Sequence, residues 1–153
     1  MDIRSYKETD TGDISRLYFN TIHRINARDY SPEQIRAWAP GIHPESFWKD
    51  RFKNRSVIVA EDHAGIVGFA EMEKSGHIDC FYVHHLFQGR GIGRAMMNRV
   101  FEDFQRWNIH RAFAEVSITA RGFFERMGFS VKNENEVEYN GVSLKLYLME
   151  KYF

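Results

Sequence analysis

Cysteine is nearly absent: Cys80 is the only one. One thiol cannot build an internal disulfide framework, so the fold must hold without covalent staples, and a reducing compartment is expected. Long apolar runs are missing as well. No stretch approaches the ~20 apolar residues of a membrane span, and the first residues, Met1-Asp2-Ile3-Arg4, predict no secretory leader. Neither sign of charge is in excess, with 21 Lys plus Arg against 21 Asp plus Glu. Nucleic-acid binding needs a basic footprint, so that class is not expected. There is no repeat, low-complexity tract or linker. A cytoplasmic chain with no membrane partner is the expectation, and its 153 residues suffice for one domain, residues 1–153, with a real core. Aromatics are abundant, at 15% with 13 Phe, and predict a well-filled core and an aromatic-lined pocket.

Hydrophobic spacing orders the chain. Residues 2–6 read as a strand. Ile14, Leu17, Tyr18, Thr21, Ile22 and Ile25 share one face of a helix over 11–25. Ser31-Pro32-Glu33-Gln34 is a helix start, with Ser31 as cap and Gln34 completing a capping box. Pro44 opens another short helix, with Phe47, Trp48 and Phe52 expected inward. Strands at 56–61, 66–73 and 77–83, joined by tight turns, form an antiparallel meander. A helix follows, burying Ile92, Met96, Val100, Phe104 and Trp107, with Arg99, Glu102, Asp103 and Arg106 outward. A strand at 111–117 makes a parallel crossover with 77–83. A short helix stops at Gly128. Strands at 129–138 and 142–150 then join through Asn140-Gly141. This predicts an α/β or α+β fold around a mixed, mostly antiparallel sheet flanked by helices.

One stretch stands out. Phe81-Tyr82-Val83 leads into a loop with Gly89, Gly91 and Gly93, and then into the longest helix. Glycines let the backbone approach a ligand closely. The first helix N–H groups have no internal partner, and the helix dipole favours an anion there. Arg90 and Arg94 add full positive charges. This combination suits the diphosphate of a nucleotide-bearing cofactor. A Walker loop would need Gly-Lys-Ser/Thr, and a dinucleotide fingerprint would need glycine where Arg94 stands.

Gln88-Gly89-Arg90-Gly91-Ile92-Gly93 resembles the Gln/Arg-x-x-Gly-x-Gly/Ala motif of the GNAT superfamily, the Gcn5-related N-acetyltransferases. Ala120-x-x-Phe123-Phe124-Glu125-x-x-Gly128-Phe129 is similar to that family's later A-x-x-F-Y-E-x-x-G-F pattern. Tyr30 to Gln34, Ala37-Trp38-Ala39 and Ser117 to Ala120 further resemble small bacterial members of the YafP type. The resemblance implies acetyl-CoA as co-substrate and a central sheet whose parallel strands splay apart. Backbone at Gln88, Gly89, Arg90, Gly91, Ile92, Gly93 and Arg94 would hold the diphosphate. Exposed backbone at Phe81 and Val83 would pair with the pantetheine arm. Ser117 stands where many members have Asn near the cofactor. Phe124 stands at a cofactor-lining position where many have the Tyr that protonates the leaving thiolate.

That departure leaves Ser117, Tyr82 or water as proton donor, or a thiolate that leaves unassisted. For the base, Asp79 and Glu115 flank the expected splay, and partial burial is expected to raise a carboxyl pKa. Glu71 and His77 are alternatives. Strand alternation puts Cys80 and His84 on one face and His77 with Asp79 on the other, so no metal site is expected and Cys80 reads as a core residue. Tyr30 and Trp38 are candidate acceptor contacts. The expected activity is acetyl transfer from acetyl-CoA to a small-molecule amine by direct attack in a ternary complex. A protein N-acetyltransferase and a catalytically silent CoA-binding module are the alternatives. The terminal hairpin could pair across a homodimer.

Overall fold

In a computed structural model that describes all of residues 1–153, local chemistry sets most element boundaries. The chain runs β1 (Asp2–Ser5), α1 (Thr11–Arg24), α2 (Pro32–Trp38), α3 (Glu45–Arg51), β2 (Ser56–Asp62), β3 (Gly65–Met72), β4 (Ile78–Val83), α4 (Ile92–Arg106), β5 (Arg111–Ser117), α5 (Arg121–Arg126), β6 (Ser130–Tyr139) and β7 (Val142–Tyr152). The expected capping box opens α2: Gln34 N donates to Ser31 Oγ at 3.1 Å and Ser31 N donates to Gln34 Oε1 at 2.8 Å. Asn140 and Gly141 both take positive φ, 47° and 80°, which matches the twist of the β6–β7 hairpin.

Strands β1 to β4 form one antiparallel sheet in that order, and β5, β7 and β6 form a second. They meet at a single parallel bridge between His77 and Phe113, where Phe113 N donates to Gly76 O at 3.0 Å. No ladder joins β4 to β5 beyond it, so the two strands part. The mixed sheet with a splayed parallel pair is therefore present, as two sheets hinged at one point.

Helix α4 packs on one side of the first sheet, burying Met96, Met97, Val100 and Phe104 completely. Gly68 of β3 permits this approach, since a Cβ there would run into Met96 Sδ. Helices α1 and α3 cover the other side, where Ile14, Leu17, Trp48 and Phe52 meet Val59 and Phe69. Phe47 was expected inward but is exposed and stacks on His43 at 3.9 Å between ring centroids. Asp103 was expected outward but is buried. Arg99 and Arg106 both pair with it, and Arg99 also donates to Ile3 O of β1 at 3.3 Å. A buried carboxylate is tolerated because these guanidiniums partner it. No helix is long and apolar enough to cross a membrane.

Candidate active site

Where β4 and β5 part, a cleft of about 960 Å³ opens. One end is formed by Gln88, Gly89, Gly91, Gly93 and Arg94, the middle by β4, β5 and α5, and the far end by Asn26, Trp38, Val137, Tyr139 and Leu146. The cavity is large enough for a cofactor-sized ligand and an acceptor.

The glycine loop has the form that an anion site requires. Gly89 and Gly91 take φ of 74° and 80°, a region that L side chains rarely enter. Gly91 caps the 15-residue α4 and has no side chain to satisfy its first N–H groups. A Cβ at either Gly89 or Gly91 would meet nothing within 4 Å, so the space above the loop is open. Gly93 is tighter, because a Cβ there would press on the Phe123 ring at 3.2 Å. Arg90 leans over Phe87, with its guanidinium carbon 4.9 Å from the ring centroid, and Arg94 lines the cleft.

The open edge of β4 follows from register. His84 N donates to Val67 O of β3 at 2.8 Å, and antiparallel bonding alternates along a strand. Tyr82 and Cys80 therefore turn their backbone groups to β3, while Phe81 and Val83 turn theirs toward the gap. Two side chains already occupy Val83 O: Gln88 Nε2 donates to it at 2.7 Å and Thr21 Oγ1 at 3.2 Å. The Gln88 side chain thus closes the loop back onto the strand. The Phe81 ring packs between Phe123 and Phe124.

Phe124 forms part of the cleft wall but is also core, 3% exposed and edge-on to Phe129. It offers no proton. Ser117, the last residue of β5, also lines the cleft. Its Oγ accepts from Asn26 Nδ2 at 3.3 Å and from Ala120 N at 3.0 Å.

The expected alternation of β4 fails at one place. Glu71 pairs with Cys80 but Met72 pairs with Ile78, so Asp79 is an extra residue in a β-bulge. The bulge turns Asp79 toward the same guanidinium as Cys80: Arg51 Nη2 lies 3.0 Å from Asp79 Oδ2 and 3.6 Å from Cys80 Sγ. Arg55 Nη1 also reaches Asp79 Oδ2, at 3.1 Å. Both contacts fall on Oδ2, and Asp79 lines the cleft. Behind it Glu71 is fully buried, bonded by Arg51 Nε at 2.7 Å and Arg55 Nη1 at 2.8 Å. Glu71 does not line the cleft and cannot reach a substrate there, which removes it as a base. Cys80 is buried, as expected of a core residue.

Across the gap, His77 Nε2 lies 2.6 Å from Glu115 Oε2, and His77 Nδ1 lies 3.2 Å from Glu73 Oε1. Burial opposes charge on this ring. Hydrogen bonds to Glu115 and Glu73, then the charges of Glu115 and Asp79, outweigh burial and lift its pKa to about 9. His77 is thus protonated at neutral pH and cannot serve as base. The hydrogen bond from His77 holds Glu115 below the usual carboxylate range, against the effect of burial. The raised carboxyl pKa expected at Glu115 is therefore not found. Glu73, His77 and Asp79 come close enough together to suggest a cation site, but Arg55 already lies 2.7 Å from Glu73 and 3.1 Å from Asp79.

This pair makes stability depend on pH. A histidine raised above its ordinary value of about 6.5 contributes fully below that pH and loses its contribution as pH climbs through about 9. Melting temperature is expected to fall between those limits in the wild type. His77→Gln should flatten that slope, and an unchanged slope would deny the ion pair.

Of the two aromatic acceptor candidates, Trp38 lines the cleft and Tyr30 does not. Tyr30 is buried, and its hydroxyl donates to Lys145 O at 2.7 Å and accepts from Ile118 N at 2.9 Å. It ties the segment before α2 to β7 and to the residue that follows β5, and supports Trp38 edge-on, 5.5 Å between centroids. Sequence reasoning missed Asn26, Tyr139, Arg51 and Arg55. No short motif marks them, because each reaches the site from a distant segment. Burial pushes the Tyr139 hydroxyl upward, aided by Cys80 and Asp79, and burial, aided by Tyr18 and Cys80, pushes the Tyr82 hydroxyl upward as well.

Known proteins share this fold. A family model described as Acetyltransferase (GNAT) domain matches residues 26–151. The chain is 30% identical over 141 residues to the uncharacterized N-acetyltransferase YafP of Escherichia coli K12, covering 92% of this chain and 89% of that protein. A Gcn5-related N-acetyltransferase structure from Rhodopseudomonas palustris superposes with a TM-score of 0.94 at 28% identity, over 99% of this chain and 95% of that one. The PaiA N-acetyltransferase of Thermoplasma acidophilum, in complex with coenzyme A, shares the fold with a TM-score of 0.78 at 16% identity, over 99% and 98%. The chain belongs to the GNAT family of acetyltransferases, and it is an acyltransferase.

Proposed function

We propose that this protein transfers an acetyl group from acetyl-CoA to the amino group of a small molecule, by direct attack with both held in one cleft. One observation carries the reading: the cleft runs unbroken from the glycine loop, along the unpaired edge of β4, to the carboxylates of Asp79 and Glu115. Acetyl-CoA would supply the activated acyl group as a thioester. The backbone N–H groups of residues 88–94 hold its diphosphate. The unpaired N–H groups of Phe81 and Val83 hold the amide-rich arm and face negative charge as it develops on the carbonyl oxygen.

The acceptor end has its own electrostatic character. Arg51, Arg55 and protonated His77 supply three positive charges, against four carboxylates from Glu71, Glu73, Asp79 and Glu115. One negative charge is left over, which suits a single ammonium. Trp38 and Tyr139 stack at 6.2 Å between centroids and, with Ile25 and Leu146, suit a flat or apolar body. Asp79 and Glu115 anchor the ammonium and pass its proton to water. Asp79→Asn is expected to lower turnover about 100-fold at neutral pH, with partial recovery as pH rises and the amine loses its proton unaided. A pH–rate profile identical to wild type would remove Asp79 from this role.

Thiol release from acetyl-CoA in the presence of a panel of amines tests the activity. The silent CoA-binding module is favoured by one observation, the absence of a hydroxyl at Phe124. Binding of CoA without turnover across a broad panel would select it. The buried Cys80 suits a reducing, cytoplasmic setting, and the edge strand β6 offers a route to a homodimer.

A further inference from the structure

Asn26 is a buried polar side chain that the reading above leaves unused. It is 6% exposed, sits in the short helical turn after α1, and lines the cleft. Its Nδ2 donates to Ser117 Oγ, 91 residues away, at 3.3 Å. Ala120 N donates to the same oxygen at 3.0 Å. A serine hydroxyl has two acceptor lone pairs and one proton to give. Two N–H donors occupy both lone pairs, so the proton must point elsewhere, and the cleft is the open side. We propose that Asn26 is a positioning residue that fixes the Ser117 hydroxyl as a hydrogen-bond donor into the cleft, toward the leaving sulfur, where Phe124 supplies none.

The proposal rests on the reading that acetyl-CoA occupies this cleft with its thioester near Ser117. As the amine nitrogen bonds to the acetyl carbon, the carbon–sulfur bond breaks and its electron pair stays on sulfur. A thiol titrates near 8.5, far below a serine hydroxyl. Ser117 therefore keeps its proton and supports the thiolate through a hydrogen bond. The thiolate leaves or takes a proton from water, and the proton lost by the amine departs through the carboxylates.

The test reads the thiol rather than turnover alone. The pKa of CoA bound to the intact protein is measured from thiolate ultraviolet absorbance, as a difference against the desulfo-CoA complex, which cancels Cys80. A hydrogen bond to a charged group is worth about one to two pKa units. Ser117→Ala is expected to raise the bound thiol pKa by about one unit and to slow turnover about tenfold. Asn26→Asp should do the same, because aspartate accepts the Ser117 proton and turns it away from the cleft. Added to Ser117→Ala, it should produce less than half of its own shift. His77 and Asp79 on the β4 side, Glu115, Arg94, Arg126 and Tyr139 face the same cleft, are common to all variants, and cancel in the cycle.

The outcomes separate the two ideas. No shift in Ser117→Ala removes Ser117 as the donor, whatever Asn26 does. A shift in Ser117→Ala with none in Asn26→Asp overturns the positioning role, since an asparagine that accepted from Ser117 would be mimicked by aspartate. If Asn26→Asp does not fold, Asn26→Leu replaces it, with about half the shift expected; no shift there also overturns the proposal.

Discussion

Gly91→Asp is expected to weaken CoA binding at least 100-fold while leaving the fold in place. The position combines a positive φ of 80° with open space, since a Cβ would meet nothing within 4 Å. Aspartate tolerates the left-handed region at a cost of about 1 kcal/mol, which is about 2–4 °C of melting temperature in a domain of this size. Its carboxylate, however, would stand at the unpaired N–H groups of α4, where the proposed function places the diphosphate. Like charges brought together cost several kcal/mol, and 2.7 kcal/mol is about 100-fold. Calorimetric titration of CoA beside thermal melting separates the two effects. Gly91→Asn is the control of similar shape and strain without charge. Equal losses for Asp and Asn would show that shape rather than charge decides, and would weaken the diphosphate assignment.

Gly76→Val should do the reverse, removing stability first and activity with it. Gly76 lies at the hinge of the two sheets, with φ of 95°, and its carbonyl accepts from Phe113 N at 3.0 Å. A Cβ there would be driven into the Arg111 carbonyl oxygen, and Ile109 Cγ2 closes the other side at 3.1 Å. That oxygen belongs to the backbone of β5 and cannot rotate away. A β-branched residue adds the full left-handed penalty. The sum is a loss of about 4 kcal/mol or more, in the range of the largest single-site effects. Denaturant unfolding measures it. A loss under about 1 kcal/mol would mean that β4 and β5 can move apart freely, and the bridge would then not set the cleft.

Much of this architecture was legible because its signals are local. Ser31 and Gln34 lie three residues apart and cap α2 by themselves. Asn140-Gly141 dictates its turn. The loop from Gln88 to Arg94 carries its glycines and its helix start in one stretch, so the glycine-rich end of the cleft could be outlined from that stretch alone. Phe124 was equally visible as a missing hydroxyl. The errors share a cause: a long-range contact overrode a local rule. Asp79 is unmatched because Cys80 pairs with Glu71 and Ile78 with Met72 across the strands, and no alternation rule anticipates it. Tyr30 looked like an acceptor contact until its hydroxyl met Lys145 and Ile118, each more than 80 positions away. Asp103 read as solvent-facing until Arg99 and Arg106 closed over it.

Spacing, capping and glycine content were sufficient for the order of helices and strands, the family likeness and the glycine-rich turn into α4, because backbone conformation answers mainly to neighbours within a few residues. The chemistry of the far end needed the folded chain. A pKa depends on which charges and hydrogen bonds surround a group, and here those partners come from α3, β3, β4 and β5. Only their meeting protonates His77 at neutral pH, keeps Glu115 ionised, pins Asp79 between two arginines and brings Asn26 to Ser117.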